Sequence, residues 1–381
     1  MKTVGIICEY NPFHLGHKKQ FDIIRQTFGQ ETAIVCLMSG NFVQRGAPAI
    51  VDKTRRAKAA VLCGADLVLE LPVTYALSSA EGFAGGGVSI LSGFCDCLCF
   101  GAETADAEKL LSVAKSLLSE KFLTLLKKHL EQGISFPGAR EAALTDMGHD
   151  AALLRTPNNI LAVEYCKAIL AQNSSMQPMP ILRQGSYHDE FPDMENPSAT
   201  AVRTLMTGSK WESYVPREAA DCFRDATLHT LAAGERAMLA RLRTMTEAEF
   251  EELPYGSEGL WRKLMHAARQ EATVEAIASA AKSKRYTRTR LDRMLMCAYL
   301  GITAQDLHSP APYTRVLAFN NRGREILRLA RRSGDFPNIG ETRNGPYQLL
   351  EDRCGDLYGL FAEGAPEAPG IEHSSRVFYT P

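Results

Sequence analysis

No run of about 18 apolar residues, the least that a bilayer-crossing helix needs, occurs anywhere in the 381 residues. The N-terminus, MKTVGIICEY, passes from Lys2 straight into a strand-like run without the apolar leader of a secretory signal. Both absences argue for a cytoplasmic protein without a membrane partner. Disulfide spacing is missing too: the ten cysteines are scattered through apolar segments, as at Cys8, Cys36, Cys166 and Cys297. The one dense group, Cys95, Cys97 and Cys99, would put three thiols on one face of a strand. No CxxC and no nearby His completes a tetrahedral metal site, so they read as small core residues. Neither GxxxxGK[ST] nor GxGxxG is present, which disfavours the two commonest nucleotide-binding folds. Net charge is also nearly absent, at −1, although such a sum says nothing about where the charges sit.

What is present is globular: 45% hydrophobic and 23% charged residues exclude a disordered chain. The length suggests about two domains. Over the first hundred residues strand and helix alternate. TVGIIC, TAIVCLMS, ADLVLELP and CDCLCFGAE read as strands, whereas HKKQFDIIRQTF, DKTRRAKAAVLCG and AEGFAGGGVSILSG read as helices. That order predicts an α/β fold with a parallel sheet covered on both faces. Ligands of such sheets sit outside the carboxyl ends of the strands, so the loops at 8–17, 39–48 and 100–103 should share one rim. Past Glu103 the chain reads as mainly helical, with Thr156 and Pro157 opening the helix NNILAVEYCKAIL and MPILRQ returning as a strand. Residues 1–210 are expected to form a Rossmann-like catalytic domain and 211–381 a mainly α-helical domain.

The strongest local feature is GIICEYNPFHLGH, a strand running into a polar loop with His14 and His17 flanking Gly16 at a helix start. Three residues apart, the two imidazoles lie on one side of the helix beside its first-turn N–H groups. A phosphate would meet the helix N-terminus there, and the imidazoles could donate to charge building on a phosphoryl oxygen. Two plainer readings compete: metal ligation, for which Glu9 is poorly spaced, and ordinary residues at a helix cap. The H-x-G-H pattern after a first parallel strand resembles the nucleotidyltransferase superfamily, whose members attack the α-phosphate of ATP. NPSATAVR resembles its second phosphate element, S-x-T-x-x-R, through Ser198, Thr200 and Arg203.

A narrower resemblance covers Gly5 to about Tyr358. EYNPFHLGH, MSGNFVQRG, GADLVLELP, FGAE, TPNNILAVEY, YHD, SKRYTRTR and RVLAFNNRGR stand in the order expected of the bacterial tRNA(Met) cytidine acetate ligases. That resemblance implies an enzyme that activates acetate with ATP as acetyl-adenylate and acetylates the wobble cytidine in the anticodon loop of elongator tRNA(Met). The product is N4-acetylcytidine, with AMP and diphosphate released. His14 and His17 become the catalytic candidates, with Mg²⁺ sharing the β and γ charge. The resemblance further implies ATP contacts along Ile7, Cys8, Glu9, Tyr10, Asn11, Pro12, Phe13, His14, Leu15, Gly16, His17, Lys18, Lys19 and Gln20. It adds Gly101, either Asn158 or Asn159, and Arg183 with Gln184. By residue chemistry alone Gly101 could simply end a strand, the asparagines could cap a helix, and Arg183 could pair with a carboxylate. Leu15, Ala47 and Ala102 depart from the family pattern at tolerant positions.

The charge resolves along the chain. Residues 282–332 hold twelve Lys or Arg against three acids, a net of +9, whereas the residues before and after each net −5. An anionic polymer is the natural partner of such a segment, and Lys282, Lys284, Arg285, Arg288, Arg290 and Arg293 are the candidate tRNA contacts. Tyr286 and Tyr313 could stack on unpaired bases, whereas a solvated helix face is the plain alternative. Two other functions compete with the ligase: a small-molecule adenylyltransferase, for which the basic segment would be surplus, and a non-catalytic RNA-binding protein on the same fold.

Overall fold

A computed structural model describes residues 1–183, 197–208, 210–283, 286–330 and 334–381. Among these residues nine strands form: β1 (Thr3–Cys8), β2 (Ala33–Ser39), β3 (Phe42–Val43), β4 (Ala47–Pro48), β5 (Leu67–Leu71), β6 (Cys97–Ala102), β7 (Gln177–Leu182), β8 (Val316–Phe319) and β9 (Phe378–Tyr379). Seven make one sheet in the order β7-β6-β1-β2-β5-β8-β9, and β3 with β4 makes a small antiparallel ribbon. From β7 to β5 every pairing is parallel; β8 joins β5 antiparallel, and β9 runs parallel to β8.

The apolar runs follow from burial on both faces. Along β2, Ala33, Val35 and Leu37 enter one core layer while Ile34, Cys36 and Met38 enter the other, and none has measurable exposure. A strand of this kind cannot alternate apolar with polar residues, which is why TAIVCLMS is nearly continuous. Helix α1 (Leu15–Phe28) covers one face with Phe21 and Ile24, and α2 (Lys53–Leu62) follows with Ala57, Ala60 and Val61. A third core lies among the helices Leu260–Gln270, Val274–Ala281, Arg288–Leu300 and Pro346–Tyr358, and it takes in Phe42 and Leu77 from the first part.

Two strands from beyond residue 210, β8 and β9, return to complete the sheet. Strands of four and two residues are too short to stand out by periodicity. The three clustered cysteines, expected on one face of a strand, do not share one. Cys95 precedes β6 and packs into the layer opposite the one that holds Cys97 and Cys99. All three are buried, and burial pushes the Cys99 thiol up to about 12, so they behave as apolar filler.

The chain forms β1, then β2 and β5 to one side, and only later β6 and β7 to the other. The order therefore reverses between β1 and β6, and a crevice must open outside their carboxyl ends.

Candidate functional site

A cavity of about 680 Å³ occupies that crevice. Its floor is the end of β1 and the loop after it, from Ile6 to Asn11, and its walls are the start of α1, the 43–48 loop, the end of β6, the start of the helix Pro157–Ala171, and the segment after Pro197. The three loops expected on one rim do converge there. Arg56 of α2, fully buried, holds that rim together. Its Nε donates to Val51 O (2.7 Å) and its Nη1 to Glu9 O (2.6 Å) and Ser39 O (3.2 Å), while Nη2 donates to Gly40 O. One guanidinium thus ties the carboxyl ends of β1 and β2. In DKTRRAK nothing but helix phase distinguishes it from the neighbouring Arg55.

His14 is the N-cap of α1. Its Nδ1 accepts from Gly16 N (3.1 Å), and its own N–H donates to His17 Nδ1 (3.2 Å), so the pair forms a reciprocal capping box. His17 N and Lys18 N donate to His14 O. Most of the first-turn N–H groups are therefore already taken, contrary to the expectation of free donors for an anion. The free donors are on the imidazoles instead. Burial, reinforced by Arg183 and Arg203, lowers His14 to about 3, and burial with His14 and Arg183 lowers His17 well below its ordinary value. Both rings are neutral, and each Nδ1 is an acceptor, so each proton sits on Nε2.

The second element stands where its pattern predicts. Ser198 caps the helix Ala199–Met206 by accepting from Ala201 N (3.2 Å). Arg203 donates to Asn11 O (2.8 Å) and to Thr200 Oγ1 (3.0 Å), which fixes it against the loop before His14. Burial lowers its pKa against the pull of Glu9, and nearby Arg45 lowers it further. Cations crowded this closely are unfavourable until an anion arrives.

On the opposite wall Glu103 organises the helix Pro157–Ala171. It accepts from Thr156 Oγ1 (2.9 Å), Asn158 Nδ2 (2.7 Å) and Asn159 N (2.7 Å). Thr156 is therefore a donor to Glu103 and makes no side-chain cap bond, because an ionised carboxylate is the stronger acceptor for the open N–H groups. Asn158 lines the cavity and accepts from Arg183 Nη1 (3.1 Å), whereas Asn159 is buried and exchanges hydrogen bonds with Thr104. Gly101 has no positive φ, and a Cβ built on it would meet nothing within 4 Å. Neither backbone nor packing requires a glycine there, and the open space is the cavity.

Of the expected residues, Ile7, Cys8, Glu9, Tyr10, Asn11, His14, Gly16, His17, Lys19, Gln20, Gly101, Asn158, Arg183, Ser198, Thr200 and Arg203 line the cavity. Pro12, Phe13, Leu15, Lys18 and Asn159 do not: Phe13 is wholly buried, and Lys18 pairs with Asp22. Gln184 lies outside the described residues. Gln44 and Arg45, in the 39–48 loop expected on this rim, also line it, as do Thr289 and Arg293, of which Arg293 is a candidate tRNA contact by sequence and Thr289 is not singled out there. The metal reading of the histidines finds no support: no group of three or more His, Cys, Asp or Glu stands ready for a metal among the described residues, and Glu9 accepts from Gln44 N (2.9 Å).

The basic segment is less uniform than its composition. Arg315 is buried and bound to Glu351 (3.0 Å) and Gln348 (2.9 Å). Arg288 takes both oxygens of Glu275 (2.6 Å each) and reaches Asp292 (2.7 Å). Arg290 donates to Tyr255 O (2.6 Å) and lies over the Tyr286 ring. Tyr286 and Tyr313 are themselves buried, so neither ring is open to a base. Lys282 is exposed, whereas Lys284, Arg285, Arg331 and Arg332 lie outside the described residues. No helix among the described residues is long and apolar enough to cross a membrane.

A family model described as HIGH Nucleotidyl Transferase matches residues 1–367. The tRNA(Met) cytidine acetate ligase of Alkaliphilus metalliredigens is 39% identical, over 100% of this chain and 99% of the relative. That of Clostridium novyi is 37% identical over 92% of this chain and 93% of the relative. Among solved structures, apo Thermotoga maritima TmcAL superposes with a TM-score of 0.89 at 29% identity, covering 100% of this chain and 99% of that one. The same protein bound with alpha-thio ATP gives a TM-score of 0.87.

Proposed function

The chain belongs to the HIGH Nucleotidyl Transferase family and, within it, to the tRNA(Met) cytidine acetate ligases, and we propose that it makes acetyl-adenylate from ATP and acetate before acetylating the wobble cytidine of elongator tRNA(Met). The observation that carries the reading is the convergence of two imidazole Nε2–H donors with Arg183 and Arg203 in one cavity at the strand-order switch point.

Acetate cannot expel oxide, so its carboxylate oxygen attacks the α-phosphorus of ATP and pyrophosphate leaves. Negative charge then builds on the non-bridging α-oxygens. His14 and His17 are assigned to meet it with neutral, fixed donors that need no reorganisation, a device in which one donor is worth about 3–4 kcal/mol. Arg203, with Ser198 and Thr200 beside it, would take the departing phosphates. Gly101, Asn158 and Arg183 would hold the nucleoside end. In the second step the cytidine N4 attacks the acetyl carbon, the C–N bond forms, the bond to AMP breaks, and N4 loses a proton. Glu9 is the single carboxylate among the described cavity residues and is already engaged, so the site does not fit a protein-held Mg²⁺. Magnesium would enter as the MgATP substrate. We place the nucleotide chemistry in residues 1–210, the tRNA-facing surface in 211–381, and the reaction in the cytoplasm.

The adenylation half-reaction is tested by exchange of labelled pyrophosphate into ATP. Exchange that depends on acetate supports the reading, and exchange indifferent to acetate would point to a different adenylyltransferase.

A further inference from the structure

The wall of the nucleotide cavity does not stop at the first half of the chain but continues onto Thr289 and Arg293 of the helix Arg288–Leu300. Close backbone packing brings that helix there. Gly46 has φ +75°, and a Cβ on it would overlap the backbone of Asp292 and Arg293. The 43–48 loop and the helix therefore meet main chain to main chain, and only glycine allows it. The loop is held in turn by Glu9, at the end of β1, through Gln44 N.

At this seam Arg293 is half-buried, with its guanidinium 5.1 Å over the Tyr255 ring. Its Nη1 reaches Gln44 O at 3.5 Å, the limit of a hydrogen bond, and its Nε is buried without a partner. Asp292, the acid next to it on the chain, is engaged by Arg288, which also takes Glu275. Arg293 thus brings a guanidinium, flattened against an aromatic face, into the cavity wall that the 43–48 loop and the helix Arg288–Leu300 share. A planar guanidinium suits a phosphate oxygen pair, and a ring beneath it fixes its plane.

We propose that Arg293 binds the backbone phosphate adjoining the target cytidine, so that the helical part closes the acceptor side of the adenylation cavity. This rests on the ligase reading above. A base must leave its stack for N4 to meet an acyl-adenylate, and a base splayed into a cavity carries its own phosphodiester to the mouth. The triphosphate is provided for by His14, His17 and Arg203, and the nucleoside end by Gly101, Asn158 and Arg183. Arg293 comes from a different element, the helix Arg288–Leu300, and is left for a second, separately arriving anion, with the Thr289 hydroxyl one turn away on the same helix.

The test pairs a protein change with a substrate change. An anticodon stem-loop RNA with the wobble cytidine is made with natural linkages, and with an uncharged methylphosphonate at the linkage on either side of that cytidine in turn. For one of the two linkages the native protein should lose about tenfold in kcat/KM, the scale of one charged hydrogen bond. Arg293→Ala should lose about tenfold on natural RNA and nothing further on that analogue, while Arg293→Lys recovers part of the loss. Losses that simply multiply, or Arg293→Ala at native rates, would overturn the assignment. So would a loss that surfaces as a raised KM for ATP in acetate-dependent exchange. Failure of the ligase reading looks different: the native protein would form no acetylcytidine on natural RNA.

Discussion

The rings of His14 and His17 stack with centroids 3.7 Å apart and planes 25° from parallel, each spending its Nδ1 on a backbone N–H of the helix they open. The same two bonds that cap α1 dictate which nitrogen keeps the proton. Cap and chemistry are therefore one device, and histidine is not among the residues a helix prefers at its N-cap.

Cap and chemistry can be separated by substitution. His14→Ala should slow pyrophosphate exchange about 10²- to 10³-fold and cost about 1 kcal/mol of stability from the lost cap. His14→Asn keeps a cap acceptor without the Nε2 donor, so it should recover the stability and not the rate. Denaturant midpoints measured beside exchange rates decide it, and recovery of both by asparagine would remove the catalytic role.

The depressed histidines make stability depend on pH with a definite sign. His14 is lowered by burial, and then by Arg183 and Arg203, from 6.5 to about 3. Between those values the unfolded chain binds the proton and the folded one does not, so stability falls as pH falls from about 6.5, by up to about 1.4 kcal/mol per pH unit for each such group. His14→Asn should show a shallower loss between pH 6 and 4. An imidazole resonance of His14 that titrates near 6.5 in the free protein would contradict this.

Gly101→Leu should raise the KM for ATP at least about tenfold and leave the thermal midpoint nearly unchanged, because its side chain would enter the open cavity and no packed core. Calorimetric ATP titration beside a melting curve tests it, and a large stability loss would mean that the glycine serves the fold.

A second buried charge cluster binds the two ends of the chain. Lys53 Nζ lies between Glu70 (2.8 Å) and Glu372 (2.6 Å), while Glu351 accepts from Arg315 (3.0 Å) and Tyr313 (2.6 Å). Three carboxylates face two cations. Burial raises Glu70 to about 7 against the pull of Lys53, and Glu372 and Glu351 add to the rise. A raised carboxyl contributes stability that is full below about 4.5 and lost as pH climbs through about 7. Glu70→Gln should abolish that slope, whereas Lys53→Met should cost about 3–5 kcal/mol by leaving buried carboxylates uncompensated. Denaturation at pH 5 and pH 8 distinguishes the two.

The parallel core and the H-x-G-H turn were legible because they rest on local signals: continuous apolar runs bounded by glycine and proline, and paired histidines where a strand meets a helix. Ser198, Thr200 and Arg203 were legible through their spacing. The buried cations were not. Lys53, Arg56 and Arg315 sit among residues that read as surface charge, and only tertiary packing decides which are sealed. Tyr286 and Tyr313 failed for the same reason, since aromatics among arginines serve a core as readily as a base. Thr289 and Arg293 reach the cavity through a glycine contact some 250 residues distant in sequence, which no periodicity reports.

Acetate activation and transfer are read out together by incubating elongator tRNA(Met) with the protein, ATP and isotopically labelled acetate, and then analysing its nucleosides by mass. Labelled N4-acetylcytidine is expected at the wobble position, with AMP formed in step with it and none of either with His14→Ala at short times. ATP turnover without acetylcytidine, or acetylation that needs acetyl-CoA and leaves the acetate label unused, would contradict the ligase reading.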